Sequence, residues 1–314
     1  MTVCVFSGQG AQYEGMGRNL AAQSQAANLV YEECSEYLGF DVLSLDTEQL
    51  KETRFSQPAI VVLSLAAYRA LADCIPASAS PNMMAGFSLG EYSMLGASGV
   101  LSMKDLMTLL VKRSEFMQKS CDERAGGMYA ILGLQDDVVN QFCEDYQGPG
   151  IVMGANYNSP GQIVISGDLE AVDTVAALCQ ENGAKKVVKL NVAGAFHTPL
   201  MKGAAEEIRE FARSLEFKPA HCPIFSNIDG QKIPHNIDFP EYLAQHMISP
   251  VRWTDEVRQI IASGGSHFVE FGPGKTLVGL IRRIDKTQSI DRVEDAATLQ
   301  KVIDKINATD AASS

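Results

Sequence analysis

Met83-Met84-Ala85-Gly86-Phe87-Ser88-Leu89-Gly90-Glu91-Tyr92 is the stretch on which the fold turns. Residues 83–86 form a short apolar run of the kind found in buried strands, and from Leu89 to Ala97 the spacing becomes helical. Between them lies G-x-S-x-G, whose flanking glycines permit a strained turn that projects the Ser88 hydroxyl outward. A strand that turns at once into a helix is a building unit of a mainly parallel α/β sheet.

Toward the N-terminus the alternation continues. Thr2 to Phe6 is apolar and β-branched and feeds the turn Ser7-Gly8-Gln9-Gly10. Ser56 is placed to cap a helix with Pro58 in its first turn, continuing through Ile60, Leu63, Ala67 and Leu71. Toward the C-terminus the pattern changes between about residues 126 and 192. It reads strand 127–132, helix 136–145, strand 151–157, strand 162–166, helix 169–182 and strand 186–191, with Asn158-Ser159-Pro160-Gly161 as the turn between the central strands. This βαββαβ order is a split βαβ unit. We therefore expect a large α/β unit over 1–125 and 193–314, interrupted by a small one over 126–192.

The chain has 314 residues, 46% hydrophobic, and a net charge of −12, long enough for one large or two smaller domains. Nucleic acid and anionic membranes are bound through clustered positive charge, so this balance argues against both as main partners. The longest apolar run, Ala59 to Tyr68, is interrupted by Ser64 and closed by Arg69, so no membrane helix is expected. The opening MTVCVFSGQG lacks the positive region and cleavage site of a secretory signal, which implies a cytoplasmic protein. Seven scattered cysteines without a C-x-x-C pair read as reduced, with neither a disulfide frame nor a zinc site. No metal cluster, phosphate loop or nucleotide fingerprint is present, so no bound cofactor is expected.

A serine nucleophile needs a base, and the histidines are His197, His221, His235, His246 and His267. His197 lies in Gly194-Ala195-Phe196-His197-Thr198-Pro199, directly after the small unit, where a cleft between the two units would form.

Seven blocks in order carry a family resemblance: Gly8-Gln9-Gly10-Ala11-Gln12; Gly86 to Tyr92; Arg113 with Met117-Gln118; Asn156-x-Asn158-Ser159-Pro160-Gly161-Gln162; Phe196-His197; Pro250-Val251-x-Trp253; and Gly272-Pro273-Gly274-Lys275. Together they resemble malonyl-CoA:acyl-carrier-protein transacylases. The resemblance implies a hydrolase-like parallel-sheet large subdomain with an inserted ferredoxin-like small subdomain. It also implies malonyl transfer from malonyl-CoA to the phosphopantetheine thiol of acyl carrier protein, for fatty-acid synthesis, by a ping-pong mechanism through a malonyl-Ser88 ester, with Ser88 as nucleophile, His197 as base, and backbone N–H groups of Gln9 and Leu89 as the oxyanion hole. Arg113 would hold the malonate carboxylate through its planar fork, with Met117, Phe196 and Asn156 completing the substrate site. A backbone carbonyl would orient His197. That of His246 is a candidate, because residue 250 is proline and cannot offer it an N–H.

Three residues depart from the family pattern: Phe87 stands where His is common, Ser7 where Pro is common, and His246 where Gln is common. If only the carbonyl of His246 is used, His246→Gln should be nearly silent. Phe196 resembles malonyl-selective members, since a bulky ring leaves little room for an α-methyl branch.

Acyl carrier protein is itself acidic, so docking would need local positive charge. Lys185, Lys186 and Lys189 form one basic cluster, and Arg282, Arg283 and Lys286 another. A monomer is expected. The alternatives are a malonyl transferase acting in trans on a polyketide assembly line, a serine esterase, and a non-catalytic carrier-binding scaffold. An esterase would want an H-G-G-G-type loop and a Ser-Asp-His order, and Arg113 and the insert do not fit it.

Overall fold

A computed structural model describes residues 1–76, 81–192 and 194–313 of the chain. Residue 193, where the large unit is expected to resume, lies outside the described residues. The strands are β1 (Thr2–Phe6), β2 (Met83–Gly86), β3 (Gly126–Leu132), β4 (Val152–Ser159), β5 (Gln162–Asp168), β6 (Lys186–Lys189), β7 (His267–Phe271) and β8 (Ser289–Val293). They form two four-stranded sheets, in the orders β2-β1-β7-β8 and β4-β5-β3-β6.

The first sheet is parallel throughout. Its central strand β1 has Val3, Cys4, Val5 and Phe6 all fully buried. Cys4 and Phe6 pack into one apolar cluster, Val3 and Val5 into another, so the period of two delivers side chains to cores on opposite faces. The second sheet is antiparallel, and the helices Asp136–Glu144 and Leu169–Glu181 fill the βαββαβ order around it. The fold is thus α/β, a hydrolase-like parallel-sheet subdomain with an inserted ferredoxin-like one. Val251 links the two: its N–H donates to the Ala155 carbonyl at 2.8 Å and its carbonyl accepts from Tyr157 N–H at 2.8 Å, which ties the Pro250-Val251 segment to β4.

Two expectations need correction. The helix assigned to a Ser56 cap begins earlier, running Thr53–Cys74 with Glu52 at its N-cap and Pro58 inside it. Proline there removes the bond to the carbonyl of Arg54, which lies in the helix's opening turn on an exposed residue, so solvent can satisfy it. It is 22 residues long and contains an 18-residue window of mean hydropathy 1.3, so by length and composition it could cross a membrane, although the apolar run within it expected from sequence has only ten residues. The longer span includes Ser56, Gln57 and Ser64, which are fully buried in the protein interior. The connecting turn is also tighter than expected: Asn158 and Ser159 belong to β4, leaving Pro160-Gly161 between the strands.

Candidate active site

β2 ends at Gly86, and the helix Gly90–Ala97 starts four residues later. Both glycines are sterically required. A Cβ on Gly86 would sit 2.1 Å from the Gly90 carbonyl carbon, and one on Gly90 would sit 2.0 Å from the Phe6 carbonyl oxygen. The sharp reversal places Ser88 at φ 51, in the left-handed region.

His197 is also left-handed, at φ 60. Its Nε2 lies 2.7 Å from Ser88 Oγ. Its Nδ1 faces two carbonyls, Ser249 at 3.1 Å and His246 at 3.3 Å. Carbonyls only accept, so Nδ1 carries the proton and Nε2 is free to accept from the Ser88 hydroxyl. The carbonyl of His246, to which Pro250 can offer no N–H, is one of these acceptors, and that of Ser249, the nearer, is the other. Burial and then the Arg113 charge pull the His197 pKa from its usual value to about 4, against the two carbonyl bonds, so the ring is neutral near pH 7.

Ser88, Leu89, Gln9, Arg113, Met117, Phe196, His197 and Asn156 all line one cavity of about 500 Å³. Met128, Ala130 and Val164 of the small sheet close its other side. Among the described residues, the backbone N–H groups of Gln9 and Leu89 donate to no protein acceptor. Arg113, on the helix Met103–Glu123, is 4% exposed and has its guanidinium 4.9 Å from the Tyr92 ring centre. Its Nε has no hydrogen-bond partner, and among the described residues no carboxylate pairs with it. A buried cation left in this state invites an anionic ligand. Met117, one turn along the same helix, accepts a weak contact from Gln57 Nε2 at 3.6 Å. Phe87 packs edge-on against Trp253, with ring centres 5.6 Å apart.

Behind Ser88 lies a buried polar network that sequence reasoning missed. Asn227 Oδ1 accepts the Ser88 backbone N–H at 2.7 Å, and Asn227 Nδ2 donates to the Gly86 carbonyl at 2.7 Å and to Glu256 Oε2 at 2.6 Å. Glu91 accepts the Asn227 N–H at 2.6 Å and the Tyr242 hydroxyl at 2.8 Å. Burial pushes the Glu91 carboxyl up to about 8, against its hydrogen bonds to Asn227 and Tyr242, and burial followed by the Glu91 charge pushes Glu256 up as well. The His246 imidazole joins this network, with Nε2 3.4 Å from Asn227 Oδ1 and 3.6 Å from Glu91 Oε2. Its side chain is therefore part of the site's foundation, where the sequence argument had assigned a role to its carbonyl alone. The only local signal was the turn-forming run Ser226-Asn227-Ile228-Asp229-Gly230.

The basic residues divide. Leu132 pairs with Gln162 on one side and Lys186 on the other, and Gln162 Oε1 accepts from Arg283 at 2.6 Å. Residues paired across strands share a face, so Lys186 stands at the same end and on the same face of the small sheet as Gln162, which lines the cavity and holds Arg283. Arg282 is exposed beside Arg283 in the last turn of the helix Thr276–Ile284, and Lys185 lies over Gly133 just before β6. Lys189 does not join them. It pairs with Tyr129, on the opposite face, and its ammonium meets Asp173 at 3.1 Å.

The acyl transferase domain family model matches residues 3–312. A malonyl CoA-acyl carrier protein transacylase of Bacillus subtilis is 38% identical over 304 residues, covering 95% of each chain. The crystal structure of MCAT from Streptococcus pneumoniae superposes with a TM-score of 0.91 at 38% identity, covering 97% of this chain and 100% of that one. A malonyl-transacylase solved in complex with its type II PKS acyl-carrier protein gives 0.92 at 34% identity, covering 97% and 99%. With its parallel-sheet elbow, inserted antiparallel sheet and full-length similarity, the chain belongs to the acyl transferase domain family, among the malonyl CoA-acyl carrier protein transacylases.

Proposed function

We propose that this protein transfers the malonyl group from malonyl-CoA to the phosphopantetheine thiol of acyl carrier protein, supplying fatty-acid synthesis. The observation that carries this reading is the conjunction in one cavity of a Ser88–His197 pair at 2.7 Å with a buried Arg113 unpaired among the described residues. Ser88 Oγ attacks the thioester carbonyl while His197 Nε2 takes its proton. The oxyanion of the tetrahedral intermediate receives the N–H groups of Leu89 and Gln9. Collapse breaks the carbon–sulfur bond, and His197 returns the proton to the CoA thiolate, leaving malonyl-Ser88. The carrier thiol then attacks that ester, giving its proton to His197, which passes it to the departing Ser88 oxygen. Arg113 pairs with the malonate carboxylate, and Met117, Phe196 and Asn156 shape the rest of the site. Such pairing also screens the cation that depresses His197, so a bound malonyl group would make its own base stronger.

Lys186 and Arg283, with Arg282 and Lys185 beside them, are suited to receive an acidic carrier protein at the cavity's edge. The chemistry needs no metal or bound organic cofactor. The two units would divide near residues 126 and 192. Seven free cysteines accord with a cytoplasmic setting, and a monomer is the expected state.

Mass spectrometry after mixing with malonyl-CoA tests the reaction. A malonyl adduct on Ser88 that discharges to carrier protein supports it; release of free malonate without transfer would indicate an esterase, and no adduct a scaffold. The relative solved with a type II PKS carrier gives a second reading, transfer to a polyketide carrier, which a parallel assay with both carriers separates.

A further inference from the structure

We infer that Asn227 is a positioning residue for the nucleophile: it holds Ser88 in its left-handed conformation and so fixes the Ser88–His197 geometry. This inference rests on Ser88 being the nucleophile. A left-handed serine in a tight turn has a backbone N–H that the local chain cannot satisfy, and that N–H is directed at Asn227 Oδ1 at 2.7 Å. The same amide grips the other side of the reversal, with Nδ2 donating to the carbonyl of Gly86, the last residue of β2. One side chain therefore bridges both ends of the strained three-residue step from Gly86 to Ser88.

Asn227 is itself fully buried and held from three directions. Glu91, on the helix that follows the elbow, accepts its backbone N–H at 2.6 Å. Glu256, on the helix Trp253–Ala262, accepts its second Nδ2 proton at 2.6 Å. His246, on the helix Phe239–Ile248, approaches Oδ1 with Nε2 at 3.4 Å, and this is the residue whose carbonyl faces His197 Nδ1. The clamp on the nucleophile and the support of the base thus share one rigid body, in which a lateral error of about an ångström would be expected to slow the reaction about 10²-fold. Because the Ser88 N–H is occupied by Asn227, it is not available to an oxyanion.

The test is a rapid-mixing measurement of Ser88 malonylation on the full chain, in which burst amplitude counts competent molecules and the burst rate constant reports alignment. Asn227→Ala should lower the rate constant about 10²-fold at an amplitude matching the folded fraction by circular dichroism. Malonyl-CoA affinity, measured by calorimetry in a Ser88→Ala background, should be unaffected. Asn227→Asp keeps the acceptor for Ser88 N–H and, protonated among Glu91, Glu256, Tyr242 and His246, one donor. It should recover to within about tenfold of the parent while staying at least roughly threefold below it. A loss confined to amplitude in Asn227→Ala, or a parental rate constant in either variant, would overturn the inference; if Asn227→Ala does not fold, Asn227→Asp decides. Absence of a burst in the parent would instead refute the nucleophile assignment.

Discussion

Ser88 and His197, whose side chains meet at 2.7 Å, are also the two residues other than glycine that adopt positive φ among the described residues. Left-handed backbone costs a non-glycine residue roughly 1–2 kcal/mol, so this strain falls on the pair proposed to do the chemistry. His197→Gly should therefore be more stable than His197→Ala by about 1 kcal/mol, because only glycine tolerates φ 60 freely. Both should lose malonyl transfer by about 10²–10⁴-fold. Denaturant unfolding of the two variants is the check, and equal stabilities would show that the backbone is not strained there.

In the proposed reaction Arg113 should govern both substrate choice and the base. Replacing it by Gln should reduce malonyl loading by the equivalent of about 2–5 kcal/mol, as for loss of one partner of a buried charge pair. Arg113→Lys should lose discrimination between malonyl and acetyl groups, since an ammonium cannot fork across two oxygens. The sign of the electrostatic effect is fixed: burial and then Arg113 lower the His197 pKa, so Arg113→Gln removes the second cause and the pKa must rise from about 4. An imidazole titration followed by NMR in parent and variant measures this; an unchanged or lower pKa would contradict it.

The parts of the molecule readable from sequence were those encoded locally. The elbow announced itself because two glycines must flank Ser88, and the inserted sheet because its hydrophobic period switches between two and 3.6. β1 and β2 match the expected bounds for the same reason. The start of the Thr53–Cys74 helix was misplaced because Pro58 resembles a first-turn residue and sits deeper. His197 was singled out by its place directly after the small unit, where a cleft would form, whereas Arg113 gained a role only through family resemblance, since a helical arginine carries no signature alone. The Asn227 network was invisible because its contacts to Glu91 and Gly86 join residues 136 and 141 positions apart. Nothing near Asn227 distinguishes it from an ordinary turn asparagine.

The basic residues at the cavity's edge should act on the carrier and not on the acyl donor. Charge reversal at Lys186 and Arg283 should raise the apparent Michaelis constant for carrier protein by about tenfold at low salt, with Ser88 malonylation unchanged. Lys189→Glu should have little effect on that constant, because this side chain points to the other face and is engaged by Asp173. Steady-state assays over a salt series distinguish the two. Equal sensitivity at Lys189 and Lys186 would mean that general charge, and not this surface, governs docking.

Glu91 gives the structure a pH dependence whose sign can be derived. Its carboxyl titrates at about 8 when folded, mainly through burial, against 4.5 for an ordinary glutamate, so between these values the folded state holds a proton that the unfolded state has released. Stability therefore falls as pH rises through this window, by up to about 1.4 kcal/mol per unit for one proton. Below 4.5 both states are protonated, and above 8 both are ionised, so the loss levels off. Glu91→Gln mimics the protonated carboxyl: its oxygen can still accept the Asn227 N–H and its amide can face the Tyr242 hydroxyl. The variant should match the parent near pH 5 and exceed its melting temperature near pH 8, with Glu256 contributing a residual slope in the same direction because its carboxyl is raised too. Calorimetry of both proteins across this range decides the matter, and a melting difference independent of pH would mean that Glu91 is already ionised in the folded core.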